Sequence, residues 1–402
     1  MLQGQKGLES YFEGCFNSTL DFLTQSHIIS HGQSVRKNWN KMAWKDFRVN
    51  KRLDRIDPVS LEKMYALIAE IDAVKKSWFL TKRVSPQIIE RLTHSVIITS
   101  TGASNRIEGN RLSDQDVEEL YKNLRIKKLK SRDQQEVAGY LEVLECIFKN
   151  YKHIHITKSS ILKLHTDMLI YSEKDIQQRG KYKVGSNRVE ARDDSGNIVG
   201  IVFDPTPPYL VEKEMHELID WYHWAIEHAI KHPLILIANF IFEFLAIHPF
   251  QDGNGRESRL LSNLMLLQHE YYFTTLVSHE KIIESHKVDY YLALNKSQSG
   301  WKTEKEHVTP WLIFFLSVVK NQATQAIEFL ENGNIEHLLS QKQLILWQWI
   351  LQNPSTEFSR KNAVEALGFS ARTIESSIKK LLDMKRLGRL GQGKATRYKL
   401  IK

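Results

Sequence analysis

The 402-residue chain is 42% hydrophobic and 26% charged with a formal net charge of +9, the composition of an ordinary globular protein long enough for two or three cores. Two cysteines, Cys15 and Cys146, exclude a disulfide framework and lack metal-site spacing, so a reducing, cytoplasmic setting fits. No apolar run approaches the roughly 20 residues of a membrane span, and no membrane partner is expected.

The opening "MLQGQKGLESYFEGCF" lacks the charged-then-apolar layout of a secretion signal, and residues 1–34 read as a loosely held leader. "DPVSLEKMYALIAEIDAVKKSWFL" has helical spacing, with Ser60 as its expected N-cap. Residues 85–124 predict a helix, a glycine-marked break, a short helix and a further helix opened by Ser113, with Asp116 three residues on. "DQQEVAGYLEVLECIFKN", "TKSSILKLHTDMLIY" and "LVEKEMHELIDWYHWAIEHAI" keep the helical period. "GKYKVGSNRVEARDDSGNIVGIVFDPTPP" instead alternates around a turn cluster at 193–197, which predicts a β-hairpin. A lone hairpin is marginal in water and must lean on a helical body. His223, His228 and His232 surround a helix end, but Pro233 interrupts their pairing, so they are read as structural.

"HPFQDGNGR", residues 248–256, separates two strongly apolar helices, "PLILIANFIFEFLAI" and "RESRLLSNLMLLQHE". Gly253, Asn254 and Gly255 stand at the amino end of the second, where unpaired N–H groups and the helix dipole attract anions. Arg256 and Arg259, three apart, project from one face of its first turn. Two guanidinium forks over an amide nest suit a polyphosphate. Asp252 adds a hard oxygen of the kind that holds Mg²⁺ beside phosphates, and His248 is a base at neutral pH. Together these parts describe a nucleotide-transfer site.

The same string resembles the signature of the Fic family, His-x-Phe-x-Asp/Glu-Gly-Asn-Gly/Lys-Arg-x-x-Arg, and meets every position of it. The resemblance extends from about residue 90 to 320 and implies a helical bundle with a β-hairpin flap, transferring AMP from ATP to a hydroxyl side chain of a target protein. It implies that His248 deprotonates the hydroxyl, Asp252 holds Mg²⁺, and residues 253–255 cradle the phosphates. Arg256 and Arg259 would bind the leaving pyrophosphate portion, and Phe250 would anchor the loop. The hairpin at 183–203 is similar to the family's flap, which docks a target segment by strand addition; its plainer reading is a surface hairpin without a partner. Tyr291 and Gln298 resemble the positions lining the nucleoside pocket. "SNRIEGN", residues 104–110, resembles the family's inhibitory motif Ser/Thr-x-x-x-Glu-Gly/Asn. The resemblance implies that Glu108, on the same helical face as Ser104, salt-bridges Arg259 and denies it to the ATP γ-phosphate. The plainer reading is a helix-end carboxylate before a glycine. In some relatives this glutamate serves removal of AMP, a second activity.

"ENGNIEHLL" reads as a linker. From Glu336 to Lys402 there are 13 Lys/Arg against 5 Asp/Glu, about +8 of the net charge. "QKQLILWQWILQN", "SRKNAVEALG" and "SARTIESSIKKLLDMKRL" predict three helices, and "GRLGQGKATRYKLI" a small hairpin, which is winged-helix organisation. Ser370 would cap the recognition helix. Arg372, Thr373, Ser376, Lys379 and Lys380, with Lys394 and Arg397 on the wing, offer DNA contacts; such modules also dock proteins. The expected domains are a leader to 34, an N-terminal helical region 35–112 with the inhibitory helix, a catalytic domain 113–330 and a winged-helix domain 336–402. A homodimer is compatible with this reading. The competing reading is a DNA-binding regulator whose Fic domain senses nucleotide.

Overall fold

A computed structural model describes residues 44, 46–77, 86–124, 129–187, 189–192, 198–332, 339–353, 357–384, 386–391 and 396–401. The leader, the hairpin turn at 193–197 and Lys394 lie outside the described residues. Packing divides the chain into two units, Met1–Lys51 and Arg52–Lys402. In the first, Trp44 meets Phe47 edge-on and Lys51 pairs with Asp46 at 3.1 Å, where helix α1 (Arg48–Asp54) begins.

The second unit is helical. Its early helices are α2 (Pro58–Ser77), α3 (Pro86–Ile107), α4 (Asp114–Asn123), α5 (Arg132–Asn150) and α6 (Lys158–Met168). Two expectations fail here. Helix α2 starts at Pro58, and its cap is Asp57, whose Oδ1 accepts the Ser60 N–H at 2.9 Å; Ser60 lies inside the first turn. An acidic N-cap followed by proline is a stronger start signal than a serine two residues later. Helix α3 also runs without the break expected at Gly102. That glycine is used for space: Arg106 passes over it to pair with Asp114 at 2.8 Å, where a Cβ would collide with both side chains. Ser113 does open α4, in a reciprocal capping box with Asp116.

Strands β1 (Val189–Arg192) and β2 (Ile198–Phe203) pair antiparallel, with register shifts after Val189 and after Ala191. Then follow α7 (Pro208–Glu227), α8 (Pro233–Ile247), α9 (Asn254–Gln268), α10 (His279–Ser285), α11 (Lys287–Gln298) and α12 (Thr309–Asn332). Every residue from Leu234 to Ile247 is buried, which makes α8 the central helix of the core. Arg52 fixes its outer side, donating to Asn239 Oδ1 (2.7 Å), Glu306 (3.0 Å) and Glu243. The three histidines have separate partners: His223 meets the Ile156 carbonyl, His228 the Trp224 carbonyl and His232 the Asp72 carboxylate.

The C-terminal segment forms α13 (Gln341–Leu351), α14 (Arg360–Leu367) and α15 (Ala371–Asp383), then the antiparallel pair β3 (Leu387–Leu390) and β4 (Arg397–Leu400). Ser370 caps α15 by accepting the Thr373 N–H at 3.2 Å. Phe358 bridges to Tyr398, fastening the hairpin to the entry of α14. Among the described residues no helix is long and apolar enough to cross a membrane.

Candidate active site

The turn between α8 and α9 is built around Phe250, which is fully buried. His165 of α6 stacks on its ring at 3.7 Å, and Asn254 closes the loop, accepting the Phe250 N–H (2.8 Å) and donating to the Phe250 carbonyl (2.7 Å). The Asn254 side chain is therefore committed to the loop, leaving its backbone for a ligand. Gly253, at φ 84°, supplies the left-handed residue before α9, which favours glycine; a Cβ there would also press on Met168 Cε at 2.8 Å. The first N–H groups of α9 have no partner within the helix and open onto the turn.

His248 ends α8 in the left-handed conformation, φ 53°, a geometry that costs a non-glycine residue about 1–2 kcal/mol. Its Nδ1–H donates to the Leu245 carbonyl at 3.3 Å, which leaves Nε2 as the basic nitrogen. Burial pushes the imidazole down to about 4, so it is neutral at pH 7 and able to accept a proton.

Asp252 is also partly buried, but burial's upward push is outweighed by Arg256, by the Gly253 N–H (2.6 Å) and by Arg132, and its carboxyl lies below the usual range. It is an ionised hard ligand. Arg256 Nη2 and Arg132 Nη2 both stand 3.4 Å from its oxygens. Among the described residues no cluster of three or more His, Cys, Asp and Glu could hold a metal. A lone carboxylate is chemically compatible with Mg²⁺, an ion usually held by one or two carboxylates with phosphates and water completing its shell. Glu257, in the first turn of α9, is fully buried and burial raises it well above the carboxylate range.

Arg259 is held from α3. Its Nε donates to Ser104 Oγ (2.8 Å) and its Nη2 to the Ser104 carbonyl (2.9 Å) and to Glu108 Oε1 (2.8 Å). Burial works against its charge, but Glu108 more than restores it and the guanidinium is raised overall. Arg259 Nη1 is buried without a hydrogen bond among the described residues. The Glu108 carboxylate also lies against Gly255, where a Cβ would collide with Oε1. An anionic group of the chain itself thus sits over the amino end of α9.

Tyr291 of α11 stands beside this contact, its hydroxyl 3.5 Å from the Ile107 carbonyl, and burial raises its phenol to about 12. Lys287 donates to the same carbonyl at 2.7 Å. Gln298 lies seven residues further along α11 and is half-buried at the helix's last turn. The flap side chains of residues 188–202 lie outside the described residues.

Sequence reasoning missed His165. Gly180 N–H donates to its Nδ1 (3.0 Å), which fixes the proton on Nε2, and that proton goes to the Asp252 carbonyl (3.1 Å). A single histidine inside an amphipathic helix carries no signal of such a role. Arg132 was equally silent, since it comes near Asp252 only through packing.

Comparison with known proteins matches residues 155–266, from the entry to α6 through most of α9, to the family described as Fic/DOC. The protein named "Protein adenylyltransferase fic-1" of Caenorhabditis briggsae is 26% identical over 225 residues, 55% of this chain and 40% of that protein. "Protein adenylyltransferase Fic" of Nematostella vectensis is 28% identical over 200 residues, 49% and 42% of the two chains. The chain spans about two fifths of the length of these curated relatives. Among solved structures, a Fic family protein from Desulfovibrio desulfuricans G20 shares the fold with a TM-score of 0.53 at 23% identity, over 86% of this chain and 97% of that one.

Proposed function

We propose, from the match of residues 155–266 to the Fic/DOC family, that the chain is a protein adenylyltransferase that moves AMP from ATP to a hydroxyl side chain of a target protein. The observation that carries this reading is the turn itself: a neutral base, an ionised carboxylate, a helix amino end and two arginines on one six-residue loop, 248–253, and the helix it starts. His248 Nε2 takes the proton of the acceptor hydroxyl as its oxygen bonds to the α-phosphorus. The bond from that phosphorus to the bridging oxygen breaks, and pyrophosphate leaves. Asp252 would hold Mg²⁺, which supplies positive charge to the phosphate oxygens. The amides of residues 253–255 and Arg256 and Arg259 bind and align the phosphates, a positioning and charge-stabilising task. Tyr291 and Gln298 face the nucleoside, and the flap pairs with the target segment. The catalytic domain is taken as residues 113–330. Incubation with α-labelled ATP and a lysate tests the reading: label on protein supports it, and nucleotide binding without label favours a nucleotide sensor.

Asp252→Ala should abolish the Mg²⁺ dependence of turnover together with most of its rate, about 100-fold or more if one charge stabiliser is lost. A magnesium titration of the variant checks this. Robust transfer that still requires Mg²⁺ would place the ion on another residue.

Glu108 is the brake in this reading, supported by its 2.8 Å bond to Arg259 and its seat over Gly255. Residues 336–402 are taken as a winged-helix module, and the exposure of Arg372, Ser376, Lys379 and Arg397 supports contact with duplex DNA. Affinity for DNA should fall with salt, with a slope of several units on a log–log plot if several phosphates are contacted. A chain truncated after Asn334 that binds DNA as tightly as the full chain would remove the module from the account.

A further inference from the structure

The left-handed turn at His248 leaves a run of carbonyls at the buried end of α8 that the helix cannot satisfy. Four consecutive ones, from Ile247 to Phe250, accept hydrogen bonds from one short segment, residues 183–187. Lys183 N–H donates to the Pro249 carbonyl (2.8 Å), and Lys183 Nζ to the Ile247 carbonyl (3.3 Å) and Asn187 Oδ1 (2.6 Å). Asn187 Nδ2 donates in turn to the carbonyls of His248 (3.3 Å) and Phe250 (2.7 Å). Lys183 is 4% exposed. A buried ammonium is expensive unless it is hydrogen-bonded, and the carboxyl end of a helix is where a cation is favoured.

We propose that Lys183 is a positioning residue for His248: with Asn187 it clamps the four carbonyls, fixes the left-handed turn, and so aims the imidazole at the acceptor hydroxyl. The strap also joins the base to the target-docking element, because β1 begins two residues after Asn187. A target strand pairing with the flap therefore bears directly on the segment that holds the base. The inference rests on the proposed AMP transfer.

Besides burial, the charged groups acting on the imidazole are Lys183, which opposes its protonation, and Glu108 and Asp252, which favour it. Removing the ammonium while keeping the stem should therefore do two things that loss of packing alone would not. In a Glu108→Gly background, where turnover is measurable, Lys183→Met should lower kcat about tenfold or more, as misplacement of a catalytic group by a fraction of an ångström does. KM for ATP should stay unchanged. The acid limb of the pH–rate profile should move to higher pH, and Lys183→Arg should restore both the rate and the limb. Asn187→Ala, which keeps the charge, should lower kcat with the limb in place, and it decides the matter if Lys183→Met fails to fold. Parental kcat and pH profile in folded Lys183→Met, or parental kcat in Asn187→Ala where Lys183→Met does not fold, overturns the inference. Loss of label from the Glu108→Gly parent itself would overturn the transfer reading instead.

Discussion

Glu108→Gly should transfer AMP about 10–100-fold faster than the unaltered chain, a gain of the size expected when one positioned cation becomes available to developing phosphate charge. In the folded chain Arg259 spends two of its bonds on Ser104 and one on Glu108, and the glutamate carboxylate rests against Gly255. In the proposed reading, the cation and the backbone that a triphosphate would use both lie against the carboxylate of Glu108, the residue after α3. Removing the carboxylate leaves Ser104 to orient the guanidinium and frees Nη2 for the γ-phosphate. Arg259→Ala in the same background should erase the gain, because its guanidinium is the group that Glu108 holds. ATP with Mg²⁺ should stabilise Glu108→Gly more than the parent in thermal unfolding; saturation at 100 times Kd corresponds to about 2.7 kcal/mol. Equal activity and equal stabilisation would make Glu108 an ordinary helix-end carboxylate.

His248→Ala should reduce transfer by about 100-fold to 10,000-fold, the range for a general base, with ATP binding retained, since the proposed phosphate site lies on α9 and not on the imidazole. The pH dependence follows from burial of the ring. Burial holds the imidazole near 4, so its basic form is present at and above neutral pH and is lost only as pH falls through about 4. The rate should therefore hold on acidification through 6.5, where an exposed histidine would already be half protonated, and fall well below it. An acid limb at 6.5 would show the base to be solvated in the working complex.

The fold class was legible because most of the chain keeps one period and α8, before 248–253, is apolar on nearly all sides, as a central helix must be. The alternation after Lys183 marked the hairpin in the same way. Ser60 misled because a proline-started helix uses the residue before the proline, and Asp57 was there. Gly102 misled because a glycine within a helical pattern signals either a break or a close crossing, and only the position of Asp114 decides for the crossing. In the candidate site, spacing placed Ser104 and Glu108 on one face, and Arg256 and Arg259 on another. The contacts among His165, Lys183, Asn187 and the loop carbonyls were not legible. They join residues 60 to 90 positions apart, mostly side chain to backbone, and no local pattern encodes which carbonyl a turn will leave exposed.

The central claim is that this turn transfers AMP once Glu108 is out of the way. The most direct measurement is incorporation of α-labelled ATP into protein by purified Glu108→Gly chain with Mg²⁺ and a lysate, beside the Glu108→Gly, His248→Ala double variant. The account predicts label on protein in the first and none in the second. Equal labelling by the two, or no protein labelling by Glu108→Gly while it binds ATP, would contradict it.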